Sequence, residues 1–275
     1  QQEIDIAVIE TGLGGRLDST NIITPVLSVI TNIGKDHADL LGDTLEKIAF
    51  EKAGIIKNNI PVVIGESHPE TTAVFTEKAN QCHASLYWAE RNIKYYNTEI
   101  ETDLKGDYQQ KNVVTVMQAV DCLNDMGFHL DLFKVAYALQ NVQALTQFRG
   151  RWEILGNAPK IVADTGHNAH GLTLVMEQLK KEKYKRLHIV FGMVSDKDRA
   201  DVLPLLPKDA IYYFTKANLP RSLSPEKLRE EAEVYGLKGA TYTQVQEALN
   251  AAKLEADRDD LIFIGGSTFV VAEIL

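Results

Sequence analysis

Short apolar runs that stop at a glycine or a small polar residue recur along this chain. They constrain its fold more than any other feature. In the first half they are Ile4 to Ile9, Val26 to Thr31 and Pro61 to Ile64; in the second, Lys160 to Ala163, Leu187 to Phe191, Ala210 to Phe214 and Leu261 to Ile264. Runs of this length, bounded by Gly, Pro and Asn, predict buried parallel strands. Helix-like stretches separate them: Thr44 to Ile56, Pro69 to Gln81, Asn112 to Met126, Leu130 to Leu139, Leu172 to Lys181, Pro225 to Tyr235 and Gln244 to Leu254. Trp152 to Leu155 reads as a further short strand, joined to Lys160 to Ala163 by a turn at Gly156-Asn157. The more polar stretch Ile93 to Leu104 reads as a hairpin or an edge insertion. This alternation predicts an α/β fold. A chain of 275 residues has room for two domains, at about 100–200 residues each. The polar stretch before Phe148 places the boundary near Ala144 to Phe148, giving domains 1–146 and 147–275.

Charge narrows the partners. The formal net charge is -9, which argues against nucleic acid and against anionic membranes as the main partner. Two cysteines, Cys82 and Cys122, without a CxxC spacing, predict neither a disulfide framework nor a cysteine metal site, and fit a reducing cytoplasm. No stretch approaches the ~18 apolar residues of a membrane span, and no signal peptide is visible. Gln1 to Asp5 lead directly into the first apolar run, which is read as a chain that starts mid-domain.

Polar residues gather where the apolar runs end. IAVIETGLGGRLDSTN, residues 6 to 21, carries Glu10 and then Gly12, Gly14 and Gly15. It is not a dinucleotide fingerprint, because Leu17 stands where the third glycine would fall, and no Gly-Lys-Ser/Thr follows. An acid at a strand's carboxyl end suits a metal bound to phosphates; a tight turn after a core strand is the plainer reading. TNIGKDH, residues 31 to 37, places Asp36 and His37 at the end of the next run. If the two strands are neighbours, Glu10 and His37 come close enough to hold Mg²⁺ or Mn²⁺. Lys52 stands in the apolar stripe Leu45, Ile48, Ala49, Ala53 and Ile56. Either it snorkels or pairs with Glu51 or another acid, or its pKa is lowered and the neutral amine takes up carbon dioxide to become a carbamate. FRGRWEI, residues 148 to 154, sets Arg149 and Arg151 around a glycine at the domain junction, a candidate phosphate clamp expected to face the cleft. IVADTGHNAHG, residues 161 to 171, ends a strand at Asp164, with His167 and Asn168 before a helix; Asn168 is a candidate cap. FGMVSDKD, residues 191 to 198, repeats the pattern with Asp196, Lys197 and Asp198. No nucleophile turn of the GxSxG type is present.

Taken in order, ETGLGGRLDSTN, TNIGKDH, EKAGI, GDYQQKN, FRGRWEI, DTGHNAHG, FGMVSDKD and GGSTFVVAEI resemble the folylpolyglutamate synthase/dihydrofolate synthase family of the Mur ligase superfamily. The resemblance implies the remainder of a Mur-ligase-like central ATP-binding domain followed by a C-terminal Rossmann-like α/β domain. It implies an ATP-dependent carboxylate–amine ligase that adds L-glutamate to folate or dihydropteroate through an acyl phosphate. By resemblance Glu10 and His37 are magnesium ligands and Lys52 is the carbamylated lysine. Asn112 lies near the adenine, Arg151 reaches the ATP phosphates, and Asp164 and His167 close over the nucleotide. Lys52, His37 and Arg151 are the catalytic set. The substrates are small molecules (ATP, glutamate, folate or dihydropteroate), with neither nucleic acid nor membrane, in a cytoplasmic protein that is monomeric at full length. The family opens with a strand and a Gly-Lys-Ser phosphate loop that these residues do not match. Residues 1–275 by themselves are therefore expected to fold, at least in the C-terminal half, but not to ligate. A cell-wall Mur ligase and a non-catalytic binding remnant are the alternatives. GLGGRLD argues against the first, and the joint presence of Glu10, His37, Lys52, Arg151, Asp164 and His167 against the second.

Overall fold

The computed structural model describes residues 3–96, 100–195 and 199–275. The chain forms two compact units. One comprises Gln1–Ile100 and Gln110–Ala136; the other comprises Glu101–Gln109 and Tyr137–Leu275.

The first unit is built on a parallel sheet of three short strands, β1 (Ser28–Ile30), β2 (Val62–Ile64) and β3 (Leu86–Trp88), in that order. The central strand β2 is apolar throughout because it is covered on both faces, and Val62, Val63 and Ile64 are fully buried. Helices α1 (Ala38–Leu41), α2 (Leu45–Ala53), α3 (Pro69–Gln81), α4 (Ile93–Tyr96) and α5 (Gln109–Asp125) follow the chain. Thr44 caps α2 by accepting from the Lys47 amide at 3.2 Å. Ile48, Ala49 and Ala53 on α2, and Ile56 beyond it, are buried. Pro69 opens α3 at a position where no N–H is needed, and Phe75 and Ala79 on its inner face complete the core with Ile30, Val62 and Ile64.

Two expected elements are absent. Ile4 to Ile9 forms no strand: Ile4, Ile6 and Val8 are 69%, 62% and 96% exposed, and the run pairs with no strand among the described residues. An apolar run becomes a parallel strand only when neighbours satisfy its backbone and layers cover its faces, and neither happens here. Ile93 to Leu104 forms no hairpin among its described residues. It starts as the helical turn α4, residues 97–99 lie outside the described residues, and Glu101 to Leu104 belong to the second unit as part of an irregular strap. The run Val26 to Thr31 contributes only Ser28–Ile30 to the sheet, and β3 adds a strand.

Helices α6 (Leu132–Gln140) and α7 (Val142–Thr146) precede the six-stranded sheet of the second unit. Its strands are β4 (Glu153–Asn157), β5 (Lys160–Ala163), β6 (Leu187–Phe191), β7 (Ile211–Phe214), β8 (Lys238–Thr241) and β9 (Leu261–Gly265), in the order β4-β5-β9-β6-β7-β8. All neighbours are parallel except the β4–β5 hairpin. That hairpin turns at Ala158-Pro159, not at Gly156-Asn157, because Asn157 already pairs with Lys160. The period-two alternation of strand side chains divides the core between the faces. Val162, Ile189, Tyr212, Phe214 and Phe263 pack with α8 (Ala169–Leu179) and α10 (Pro225–Glu233). Ile161, Val190, Tyr213, Ile262 and Ile264 pack with α11 (Val245–Glu255) and α12 (Thr268–Ala272). A short helix α9 (Arg199–Val202) follows β6. Strand β9 returns from the far edge to lie between β5 and β6. The carboxyl ends of β5, β9 and β6 thus meet where strand order reverses, the usual ligand position in an open α/β sheet.

Candidate functional site

In the first unit the Gly-rich segment is a loop locked onto the end of α2. Arg16 donates its amide to the Glu51 carbonyl at 2.7 Å, and its guanidinium forks onto the Glu51 carboxylate at 3.0–3.2 Å. Asn21 donates to the carbonyls of Arg16 and Gly54 at 3.2 and 3.1 Å, and Lys57 donates to the Asn21 carbonyl at 2.8 Å. A Cβ on Gly54 would lie 2.3 Å from the Arg16 Cα, and one on Gly15 would lie 2.9 Å from the Glu51 carbonyl oxygen. Two backbones touch there, which only glycine permits. Asp18 organises the other side of the loop, accepting from the Thr20 hydroxyl at 2.6 Å and from the amides of Thr20 and Leu13 at 2.9 Å. The Thr20 hydroxyl, then those amides, hold its carboxyl down at about 2. GLGGRLD and EKAGI are one packed motif.

That latch sets α2 and with it Lys52. The lysine is half-buried. Burial pushes its amine below the ordinary lysine value, while the Asp36 and Glu10 carboxylates act in the opposite direction. Glu51 is not its partner, since Arg16 occupies that carboxylate. Asp36 is the acid that the candidate set left out. Its Oδ1 accepts from the His37 amide at 2.9 Å, and His37 sits at φ 50° with its carbonyl accepting from Leu40 and Leu41, the first turn of α1. Glu10 is exposed. Among the described residues no three His, Cys, Asp or Glu side chains form a metal-binding group. Asn112 is half-buried on α5, next to Lys111, which pairs with Glu66 at 2.5 Å. An open groove along α3, bordered by His68, Thr72, Thr76 and Arg91, involves none of the candidate residues.

In the second unit the candidate residues surround one buried carboxylate. Asp164 is 1% exposed. It accepts from the Tyr108 hydroxyl, the Trp152 amide and the Gly166 amide, each at 2.7 Å. The sequence suggests no structural reason for an acid at this position, but three protein donors supply one. Burial raises its pKa; the Tyr108, Gly166 and Trp152 hydrogen bonds and the Arg151 charge oppose the rise. Arg151 lies over the Phe148 ring at 5.6 Å. The turn that carries it is sharply bent, with φ 58° at Gln147, 81° at Gly150 and 46° at Trp152. It is also held on both sides. Thr165 donates its amide to the Gly150 carbonyl at 2.9 Å, and Arg149 bonds Glu153 and the Leu275 carbonyl at 2.8 Å each. His167 places Nδ1 3.1 Å from the Thr165 carbonyl, which puts a proton on that nitrogen. Asn168 caps α8 by accepting from the Gly171 amide at 2.8 Å. Asp196, Lys197 and Asp198 lie outside the described residues. Tyr108 was not among the candidates, and its only sequence signal is its place in GDYQQKN.

Comparison with known proteins matches both halves of the chain. Residues 1–120 match the Mur ligase middle domain, and residues 150–268 match the Mur ligase glutamate ligase domain. The folylpolyglutamate synthase of Lacticaseibacillus casei is 33% identical over 299 residues, covering 100% of this chain and 67% of that protein. A probable bifunctional folylpolyglutamate synthase/dihydropteroate synthase of Haloferax volcanii is 31% identical, covering 98% of this chain and 34% of that protein. The structure of Mycobacterium tuberculosis folylpolyglutamate synthase complexed with ADP superposes with a TM-score of 0.82 at 28% identity, covering 98% of this chain and 67% of that one. The chain thus spans about a third of the Haloferax relative and about two thirds of the others.

Proposed function

Because this chain belongs to the folylpolyglutamate synthase/dihydrofolate synthase family of Mur ligases, we propose that it serves ATP-dependent addition of L-glutamate to folate or dihydropteroate. The carboxylate of the acceptor attacks the γ-phosphorus of ATP and ADP leaves. The glutamate amine then attacks the acyl phosphate, an amide forms, and inorganic phosphate leaves. The observation that carries the reading is Lys52. It is a half-buried lysine with a depressed pKa, near two carboxylates, on a helix whose position is set by the Gly-rich latch.

The residues divide the work. Phosphoryl transfer needs positive charge where negative charge builds up, and Arg151 supplies it from a turn held at Gly150 and Trp152. Asp164 and His167 order the loop after β5, and Asn112 is the adenine-side residue on α5. Magnesium is commonly held by one or two carboxylates plus waters and phosphate oxygens. Glu10, Asp36, His37 and the Lys52 amine, as its carbamate, fit that donor chemistry. When bound, the ion offsets phosphate charge. The working division into domains 1–146 and 147–275 lies between the two family matches, while the compact units change over at Ala136–Tyr137 and take Glu101–Gln109 into the second. A monomeric, cytoplasmic setting belongs to the same proposal. The cytoplasmic part is supported by two buried free cysteines. The relatives named above favour the folate substrate over a cell-wall precursor.

The test is an assay of the protein at the length its gene encodes, with MgATP, glutamate and either dihydropteroate or a reduced folate. The expected result is ADP release that requires both co-substrates, with a glutamylated product. ADP release only with a nucleotide-sugar peptide would refute the folate reading.

A further inference from the structure

We propose that Tyr108 is a positioning residue for Arg151: its phenol holds the Asp164 carboxylate against the Trp152 amide, and that carboxylate fixes the turn from which Arg151 acts. The proposal rests on the functional reading above and extends it to a residue that reading did not use. Tyr108 lies on the strap Glu101–Gln109, which is distant in sequence from the rest of its unit. The strap is anchored independently of the tyrosine. Gln178 on α8 accepts from the Asp107 amide at 2.7 Å and donates to the Lys105 carbonyl at 2.9 Å. Asp103 accepts from the Gln143 amide at 2.9 Å at the start of α7. With the strap held at both ends, the phenol is presented to the Asp164 Oδ2 at 2.7 Å. The same oxygen takes the Trp152 amide at 2.7 Å. One oxygen therefore joins the strap to the residue after Arg151.

The chemistry suits a fixed donor. Burial, then the Asp164 charge, push the Tyr108 phenol well above the ordinary tyrosine value, so it keeps its proton at any physiological pH. A carboxylate removed from water remains charged only if donors replace the water. The hydrogen bond from Tyr108 is the largest of the effects that hold the Asp164 pKa down against burial. Removing it raises that pKa further. Asp164 then takes up a proton at a higher pH, and the Trp152 amide loses a charged acceptor. Arg151 acts on the nucleotide, so the loss falls on ATP and not on glutamate.

The experiment is Tyr108→Phe in the protein at its gene-encoded length, which removes one oxygen and leaves the ring packed. The expected result is a melting temperature within a few degrees of the parent and a KM for ATP raised on the order of tenfold, the size of one charge-assisted hydrogen bond. The glutamate KM stays within about twofold, while kcat falls along with the loss in ATP binding, because Arg151 offsets charge that builds up during phosphoryl transfer. The acid limb of kcat/KM for ATP moves to higher pH, and the effect vanishes in an Asp164→Asn background, as expected of residues that act as one unit. An unchanged ATP KM and acid limb would overturn the proposal, as would a uniform fall in all constants together with stability. If the parent shows no glutamate-dependent ATP turnover, the functional reading fails, and Trp152 decides the positioning role separately. In a background where Trp152 is the sole tryptophan, Tyr108→Phe should shift the emission of the buried Trp152 to the red. Unchanged emission would overturn the inference.

Discussion

Two apolar runs of similar composition meet opposite fates. Leu261–Gly265 becomes β9, with Leu261, Ile262, Phe263 and Ile264 all at 0% exposure and a parallel partner on each side. Ile4 to Ile9 pairs with nothing described and stays in the open, Val8 at 96% exposure. The difference lies in the surroundings. Strand β9 arrives between β5 and β6, which complete its ladder, while α8 and α10 cover one face and α11 and α12 the other. Hydrophobic sequence supplies the tendency to be buried, and neighbours decide whether it is satisfied.

Substitutions can break this contrast. The largest effect is expected from Phe263→Ala, which leaves a cavity among Trp152, Val162, Ile189 and Phe191. It should cost about 3–5 kcal/mol, measured by urea unfolding with Trp152 emission as the reporter. A loss below about 1 kcal/mol would mean that β9 is as loosely held as the first run. Gly54→Ala comes next and tests the latch, which lies outside the hydrophobic clusters yet is packed like a core. The new methyl meets the Arg16 backbone at 2.3 Å, so about 1–3 kcal/mol should be lost, seen in unfolding followed by Trp88. Val8→Ala is expected to change stability by no more than about 0.5 kcal/mol. A larger loss would show that the first run is packed in solution, and the contrast would fail.

The same contrast explains what could be read in advance. Strands β6, β7 and β9 and helix α3 were legible to within a residue or so, because buried runs and a proline start are local signals. The edge strands β3 and β8 were not. Lys238–Thr241 lies at the sheet margin, half of it facing solvent, and its pairing comes entirely from β7. Ile93 to Leu104 has strand-like residues. However, Tyr95 and Lys94 bond Asp121 at 2.8 and 3.2 Å across 26 and 27 residues of sequence, and such partners leave no local trace. The site divides likewise. Lys52 stood out because a charge in an apolar stripe is a local anomaly. Asp164 is conspicuous by its position at a strand end, but the reason it is there, Tyr108 at a separation of 56 residues, belongs to the fold. Arg16, Asp18 and Gly54 were visible as a pattern and not as the contact they make.

The strap Glu101–Gln109 also bears on how this protein can be divided and exchanged. The second unit is not one continuous stretch of gene, because nine of its residues are encoded ahead of most of α5. A fragment taken from residue 137 onward would leave the Gln178 amide and the Asp164 carboxylate without the partners that the strap supplies. A single recombination crossover cannot transfer the unit without also carrying Gln110–Ala136 of the first. Exchange between relatives that keeps α8 and the Arg151 turn in register must carry both pieces together, so the two segments are expected to be inherited as a pair.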